Sequence, residues 1–283
     1  MVNKPNKQEN KKLKFRLQND AGFSVSFSNY GARITSVKFK DKEIARNGYI
    51  SGRCANRISG ASFELNGKTY HLDQNERDNH LHGGHLGFSK KYWKMIKLTD
   101  SSISFSLHSP DGDMGYPGNL DIIVTYSLFL DGTLQVEFQG KCDQDTILNP
   151  VNHLFLRNID NSLKLWIDAD SYTEKNDNNV PTGRILSVAN TIYDFSIEKK
   201  LEPIAYDINY VLSGDGYRKV ASLGSIVDLY TDRPGLQLYK SEKHVCLEAQ
   251  IYPDAIHFAH FPSPVIKKDA AFYSKTAFHF KLK

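Results

Sequence analysis

The stretch GRCANRISGASFELNGKTYHLDQNERDNHLHGGHLGFSKKYW, Gly52–Trp93, decides how the rest of the chain is read. Near its middle, Asn66-Gly67 separates two short runs, Ala61–Leu65 and Lys68–Leu72. Asn-Gly supplies the positive φ angles of a tight turn, so the two runs form a β-hairpin. Polar residues crowd both flanks: Arg53-Cys54-Ala55-Asn56-Arg57 before the hairpin, Asn79-His80-Leu81-His82-Gly83-Gly84 after it. A hairpin brings its flanks together, so an Arg/Asn pair and a His-Gly-Gly turn can be aimed at one spot.

Outward from this stretch the same texture continues. Phe15–Leu17, Phe23–Ser28 and Arg33–Phe39 read as short strands with near-alternating polarity, and Asn29-Tyr30-Gly31-Ala32 as a turn between two of them. Downstream, Asp131-Gly132 joins two β-rich runs as a second hairpin. The segment SPDGDMGYPGN, Ser109–Asn119, has the composition of a loop. No amphipathic helix of four turns, internal repeat, low-complexity linker or heptad pattern interrupts the strands. Short strands punctuated by turn chemistry specify an all-β sandwich. At 283 residues, 40% hydrophobic and 12% aromatic, the chain can fill one large core.

The formal charge of +4 is concentrated at one end. Lys4, Lys7, Lys11, Lys12, Lys14 and Arg16 face only Glu9 there, so the remainder is close to neutral. Residues 1–12 are therefore expected to be a mobile basic tail, and 13–283 a single domain. A nucleic-acid role needs a basic face on the folded part, which this distribution does not supply. Cys54, Cys142 and Cys246 are odd in number and form no C-x-x-C, so free thiols in a cytoplasmic protein are expected. Neither a signal peptide nor a membrane span is visible.

Four segments carry groups that demand explanation. In VCLEAQIYPDA, Val245–Ala255, alternation sends Val245, Leu247 and Ala249 one way and Cys246, Glu248 and Gln250 the other. A Glu within an apolar strand is costly to bury unless it is paired or put to use. In NPVNHLFLRN, Asn149–Asn158, Val151, His153, Phe155 and Arg157 share a side, and His153 reads as a core histidine or a functional one. His80-x-His82 places two imidazoles on one face of an extended segment, an arrangement seen at metal sites. No Asp, Glu or Cys follows at ligand spacing, so no metal is assigned; a structural or exposed pair stays open beside a functional one. In PGLQLY, Pro234–Tyr239, Leu236 and Leu238 face a core, leaving Gln237 and Tyr239 on the opposite side. Nucleophile-elbow, P-loop and dinucleotide fingerprints are absent, which fits a reaction without a cofactor.

These segments together resemble the aldose 1-epimerases, or galactose mutarotases. The resemblance rests on Gly52-Arg53-x-x-Asn56-Arg57-Ile58, the Phe63–Leu72 hairpin, Leu81-His82-Gly83-Gly84, Asn149–Asn158, Tyr206–Leu212, Pro234–Tyr239 and Leu247–Ala255. It runs from about Asn19 to Lys283. It implies a large twisted antiparallel β-sandwich of the mutarotase type, with a sugar cleft on one concave sheet. It implies Glu248 as catalytic base, His153 as general acid and His82 as a further active-site histidine, with His80 and His85 at the surface or behind the site. Asn56, Arg57, Asp207 and Gln237 would hold sugar hydroxyls. The implied reaction is acid–base ring opening and reclosure of a free aldose. Its rate is expected to fall in acid as Glu248 protonates and in alkali as His153 deprotonates. A glycoside hydrolase would want paired carboxylates instead. A non-catalytic sugar-binding protein would lack the acid or the base, and a phosphorylated-sugar epimerase would need extra Arg or Lys in the cleft. Departures from the family pattern are Arg157, Asn158, Ile208 and Lys240-Ser241-Glu242; Ile208, where the family has His, is expected to alter the rim or surroundings of the cleft.

Overall fold

Alternating apolar residues on nearly every strand require two sheets to cover one another, and the computed structural model has that arrangement. It describes residues 11–157 and 163–281. Ten residues of the expected tail, 1–10, and the departure at Asn158 lie outside the described residues. Among the described residues, helix is confined to single 3₁₀ turns. One sheet has ten strands, in the order Lys14–Gln18, Phe23–Ser28, Arg33–Phe39, Lys42–Ser51, Val151–Leu156, Val245–Gln250, Gly235–Lys240, Tyr206–Val211, Ser171–Lys175 and Pro181–Ser187. The other has nine, from Lys199–Lys200 at one edge through Ala271–Phe280 and Thr133–Cys142 to Lys94–Leu98 at the other. Every registered neighbour pair within these two sheets is antiparallel.

The sheets meet face to face around one core cluster that draws on both. Phe27 of the ten-stranded sheet lies 5.0 Å, centroid to centroid, from Tyr126 of the other. The Tyr126 hydroxyl donates to the Ala32 carbonyl at 2.6 Å, which satisfies its one polar atom inside the core. Both expected hairpins form. Ser62–Leu65 pairs with Lys68–His71 around Asn66 (φ 54°) and Gly67 (φ 74°), the left-handed pair a type I′ turn requires. Leu120–Leu128 pairs with Thr133–Cys142 across the Asp131-Gly132 turn.

The Ser62–His71 hairpin sits outside the two large sheets on a small core of its own. Cys54, Ile58, Phe63, Leu65, Leu72, Tyr116 and Ile147 make that second cluster. It fastens the hairpin to the Ser109–Asn119 loop and so fixes the rim above the ten-stranded sheet.

Candidate active site

The pleat of the ten-stranded sheet assembles the floor of the site. Cross-strand partners point to the same face, and Gln237 pairs with Glu248 in one direction and with Asn209 in the other. Asp207 pairs with Tyr239, and His153 with Tyr49. Five neighbouring strands therefore put Tyr49, His153, Glu248, Gln237, Asn209 and Asp207 on the face turned away from the core. Val245, Leu247, Leu236 and Leu238 point the other way, into the core cluster, as their alternation predicts. Ile208 goes with them: it pairs with Leu238 and is buried in that cluster, while the residue also lines the pocket between Asp207 and Asn209.

The rim supplies the rest. Arg57 and Ile58 pair with His80 and Leu81 in a short antiparallel bridge, which brings Asn56 beside His82. The backbone N–H of Asn56 donates to His82 Nδ1 at 3.2 Å, and the His82 N–H donates to the Asn56 carbonyl at 3.0 Å. His82 turns the chain at φ 53°, and Gly83 follows at φ 88°. A Cβ on Gly83 would lie 1.7 Å from the Gly52 carbonyl oxygen, so only glycine permits this approach. The two arginines of the opening cluster do different work. Arg57 makes a bidentate pair with Glu76, both contacts 2.7 Å, and lies 3.7 Å from Asp207. Arg53 is buried and turns away, donating to the carbonyls of Ser109, Pro110, Pro117 and Gly118 and to the hydroxyls of Ser109 and Thr146. Arg53 thus ties down the Ser109–Asn119 loop.

His80 is also structural, and it is not at the surface. It is fully buried, with Nε2 2.7 Å from the Tyr116 hydroxyl and Nδ1 2.6 Å from the Asp73 carbonyl. His85 is exposed and pairs with Asp73 at 2.9 Å. Among the described residues no group of three or more His, Cys, Asp and Glu is placed to hold a metal ion.

His153 Nε2 lies 3.3 Å from Glu248 Oε1, and both side chains are almost wholly buried, 8% and 3% exposed. The His82 ring stands edge-on to His153 at 5.6 Å. Burial, reinforced by the charge of Asp207, pushes the Glu248 carboxyl well above the ordinary carboxylate range. Burial holds His153 down to about 4 and, with His153 and Arg57 nearby, His82 down to about 3. The expected order, with Glu248 as the more acidic partner, is therefore reversed, because desolvation penalises whichever form is charged. His82 is neutral, and because its Nδ1 accepts from Asn56, its proton sits on Nε2.

Asn56, Arg57, Asp207 and Gln237 line one pocket together with Lys175, Asn179 and Asn209. Gln237 Nε2 donates to Asp207 Oδ1 at 2.6 Å, which orients the carboxylate. Lys175 donates to Asn179 at 2.6 Å and stands 3.8 Å from Asp207. All seven residues singled out in the sequence thus gather at one place, through the Asn56–His82, Gln237–Glu248 and Glu248–His153 contacts.

A family model described as Aldose 1-epimerase matches residues 14–279. The chain belongs to the aldose 1-epimerase family. It is 30% identical to the aldose 1-epimerase of Haemophilus influenzae, over 94% of each chain. It is likewise 30% identical to the galactose mutarotase of Homo sapiens, over 95% of this chain and 94% of that one. Among solved structures, the aldose epimerase homologue from C. elegans superposes with a TM-score of 0.89 at 24% identity, covering 95% of this chain and 99% of that one. Galactose 1-epimerase from Lactobacillus acidophilus gives 0.85 at 24% identity, covering 96% of both. These two carry the fold, the mutarotase-type sandwich. The family activity is the interconversion of aldose anomers, an isomerase reaction, as the sequence leads one to expect.

The structure adds residues to this epimerase's site that sequence reading does not single out. Glu76, the partner of Arg57, lies in a turn with no periodicity around it. Lys175 and Asn179 sit in the polar EKNDNN stretch, where composition signals only a loop. Tyr49 and Phe155 flank His153, at centroid distances of 5.0 and 4.7 Å.

Proposed function

We propose that the chain acts on a free, uncharged aldose of the glucose or galactose kind through Glu248 and His153. Glu248 takes the proton from the anomeric hydroxyl while His153 protonates the ring oxygen, and the C1–ring-oxygen bond breaks. The aldehyde turns about C1–C2, and the ring recloses on its other face with the proton roles exchanged. Each transfer contributes about 10²–10⁴-fold. His82 donates its Nε2–H to the oxygen where charge develops. Asn56, Arg57, Asp207 and Gln237 hold the remaining hydroxyls and fix the ring against the acid and base.

The observation that carries this reading is the 3.3 Å contact of His153 Nε2 with Glu248 Oε1 on the floor beside the Arg57–Asp207 pocket. One proton shared by a carboxyl and an imidazole is what simultaneous deprotonation and protonation of one small ring needs. The cations lining the pocket, Arg57 and Lys175, face the carboxylates Glu76 and Asp207, which favours an uncharged sugar over a phosphorylated one.

In the same reading no metal, cofactor or nucleic acid takes part, and residues 13–283 act as one domain behind the basic tail. The three described cysteines are free and buried, which suits a cytoplasmic protein; no described helix is long and apolar enough to cross a membrane. Polarimetry on freshly dissolved α-glucose and α-galactose tests the assignment. The protein should speed the approach to the equilibrium rotation, and Glu248→Gln and His153→Asn should each abolish most of that effect. Folded variants with wild-type rates would remove both residues from the mechanism.

A further inference from the structure

The proposed acid, His153, lacks the support that usually orients a catalytic imidazole. A second hydrogen bond, to the nitrogen that does not face the reaction, normally fixes the ring and its tautomer. His153 Nδ1 is buried and meets no hydrogen-bond partner on another described residue; the residue's own backbone is the one polar group that supports the ring. Its ring is instead packed into a cluster with two aromatic rings. Tyr49 stacks on it at 5.0 Å and an interplanar angle of 28°, Phe155 at 4.7 Å and 16°, and these two rings touch each other at 6.3 Å. The two neighbouring rings have further partners of their own. The Arg33 guanidinium lies 5.1 Å from the Tyr49 centroid, and His244 meets Phe155 edge-on at 5.7 Å.

We infer that Tyr49 and Phe155 are positioning residues for His153, holding the imidazole plane by stacking so that Nε2 stays aimed at Glu248 and the substrate ring oxygen. The sheet provides the geometry. Tyr49 is the cross-strand partner of His153, and Phe155 is two residues along the same strand, so both project from the same face. The register shifts between His153 and Phe155, where Asn47 takes φ 57° and Gly48 follows, which brings Tyr49, His153 and Phe155 within ring contact of one another. Two flat rings confine rotation about the imidazole axis, and rotation is what would carry Nε2 off line. The Phe155 face also stabilises the imidazolium that forms when His153 takes a proton. Tyr49 contributes mainly geometry, because the Arg33 guanidinium already draws on its ring at 5.1 Å. The remaining titratable groups facing His153 are Glu248 at 3.3 Å, His82 at 5.6 Å and Tyr239 at 6.1 Å.

This inference rests on His153 being the acid, and the test separates the two claims. Tyr49→Leu and Phe155→Leu keep apolar bulk but remove the ring; Tyr49→Phe and Phe155→Tyr keep the ring. Mutarotation kinetics are measured for all four and for His153→Asn, at temperatures well below each melting point. The Leu variants should lose about tenfold or more in kcat with KM changed by less than about threefold. The aromatic variants should stay within about threefold of wild type. In Phe155→Leu the acid limb of kcat/KM should move to lower pH by about half a unit to one unit, and Phe155→Tyr should restore it. Leu variants with wild-type kcat would overturn the inference, as would aromatic variants that lose as much as the Leu variants. A His153→Asn protein that keeps its rate would instead overturn the assignment of the acid.

Discussion

The pH dependence of the Glu248–His153 pair is the most demanding test of the site. The two groups lie 3.3 Å apart in a nearly dry floor and share one proton across the working range. Burial raises Glu248 and lowers His153 to about 4, so that proton rests on the carboxyl and the imidazole is neutral. The productive arrangement moves it to the imidazole and leaves Glu248 anionic. Both arrangements hold the same number of protons, so the active fraction is constant over the plateau. On the acid side the pair takes a second proton, on His153. A group lowered to about 4 is half protonated there, so kcat/KM should fall to about half its plateau near pH 4, not near pH 6.5. On the alkaline side the pair loses its single proton, and the raised Glu248 sets that limb above the ordinary carboxylate range. Glu248→Gln keeps the shape but cannot accept the anomeric proton, and should cost at least about a hundredfold in kcat, or about 2.7 kcal/mol of barrier. The double variant with His153→Asn should be far less than additively worse, because both residues serve one transfer. The assay is polarimetric kcat/KM from pH 3.5 to 10 for wild type and variants. An acid limb near pH 6.5, or a folded Glu248→Gln protein with a near-normal rate, would refute the reasoning.

Three further outcomes are expected. Arg53→Met should destabilise the fold by about 4 kcal/mol or more in urea titrations, because four backbone carbonyls lose a buried donor at about 1–3 kcal/mol each; a loss under about 1 kcal/mol would mean water replaces the guanidinium. Arg57→Ala and Asp207→Ala should each raise KM and lower kcat together, since a misplaced ring loses its alignment; unchanged kinetics in a folded protein would put the substrate elsewhere. A chain shortened to begin at Lys11 should keep both rate and melting temperature, whereas one beginning at Leu13 loses the Asn29 Nδ2 bond to the Lys11 carbonyl and about 1 kcal/mol at most; a large drop for either would assign the tail a packing role.

What the sequence disclosed follows from how locally each feature is encoded. The Asn66-Gly67 and Asp131-Gly132 hairpins are set by two residues apiece. The face occupied by Glu248 is set by a period of two and survives intact in the fold. The strand Lys42–Ser51 escaped notice because its bulge at Asn47 and Gly48 breaks that period, and Tyr49 went unnoticed with it. Pattern could not separate Arg53 from Arg57 either. They are four residues apart in one polar cluster, yet one is buried against loop carbonyls and the other faces the cleft; only the tertiary placement of Ser109–Asn119 distinguishes them. His80 and His82 differ for the same reason, one enclosed by Tyr116 and Asp73, the other turned outward at a left-handed residue.

The charges of the cleft explain how such a site tolerates its own burial. Arg57 is held by Glu76 and stands near Asp207, and Lys175 stands on the other side of that carboxylate. The Glu248–His153 pair is neutral overall with its single proton, and His82 is neutral through burial. The sum over the lining is close to zero, so no uncompensated ion is buried when a ligand displaces water. A sugar offers hydroxyls and no charge, and can join the Asp207–Gln237 and Arg57–Glu76 bonds as a further donor and acceptor without breaking the balance. A phosphate would bring about two negative charges to a pocket whose two cations are already matched, beside a carboxyl that its field would drive still higher. The same site governs where the proton of the catalytic pair rests. Burial and the charge of Asp207 hold that proton on Glu248; sugar hydroxyls that donate to the Glu248 carboxylate replace its lost solvation and so favour transfer to His153, and on reclosure the proton returns.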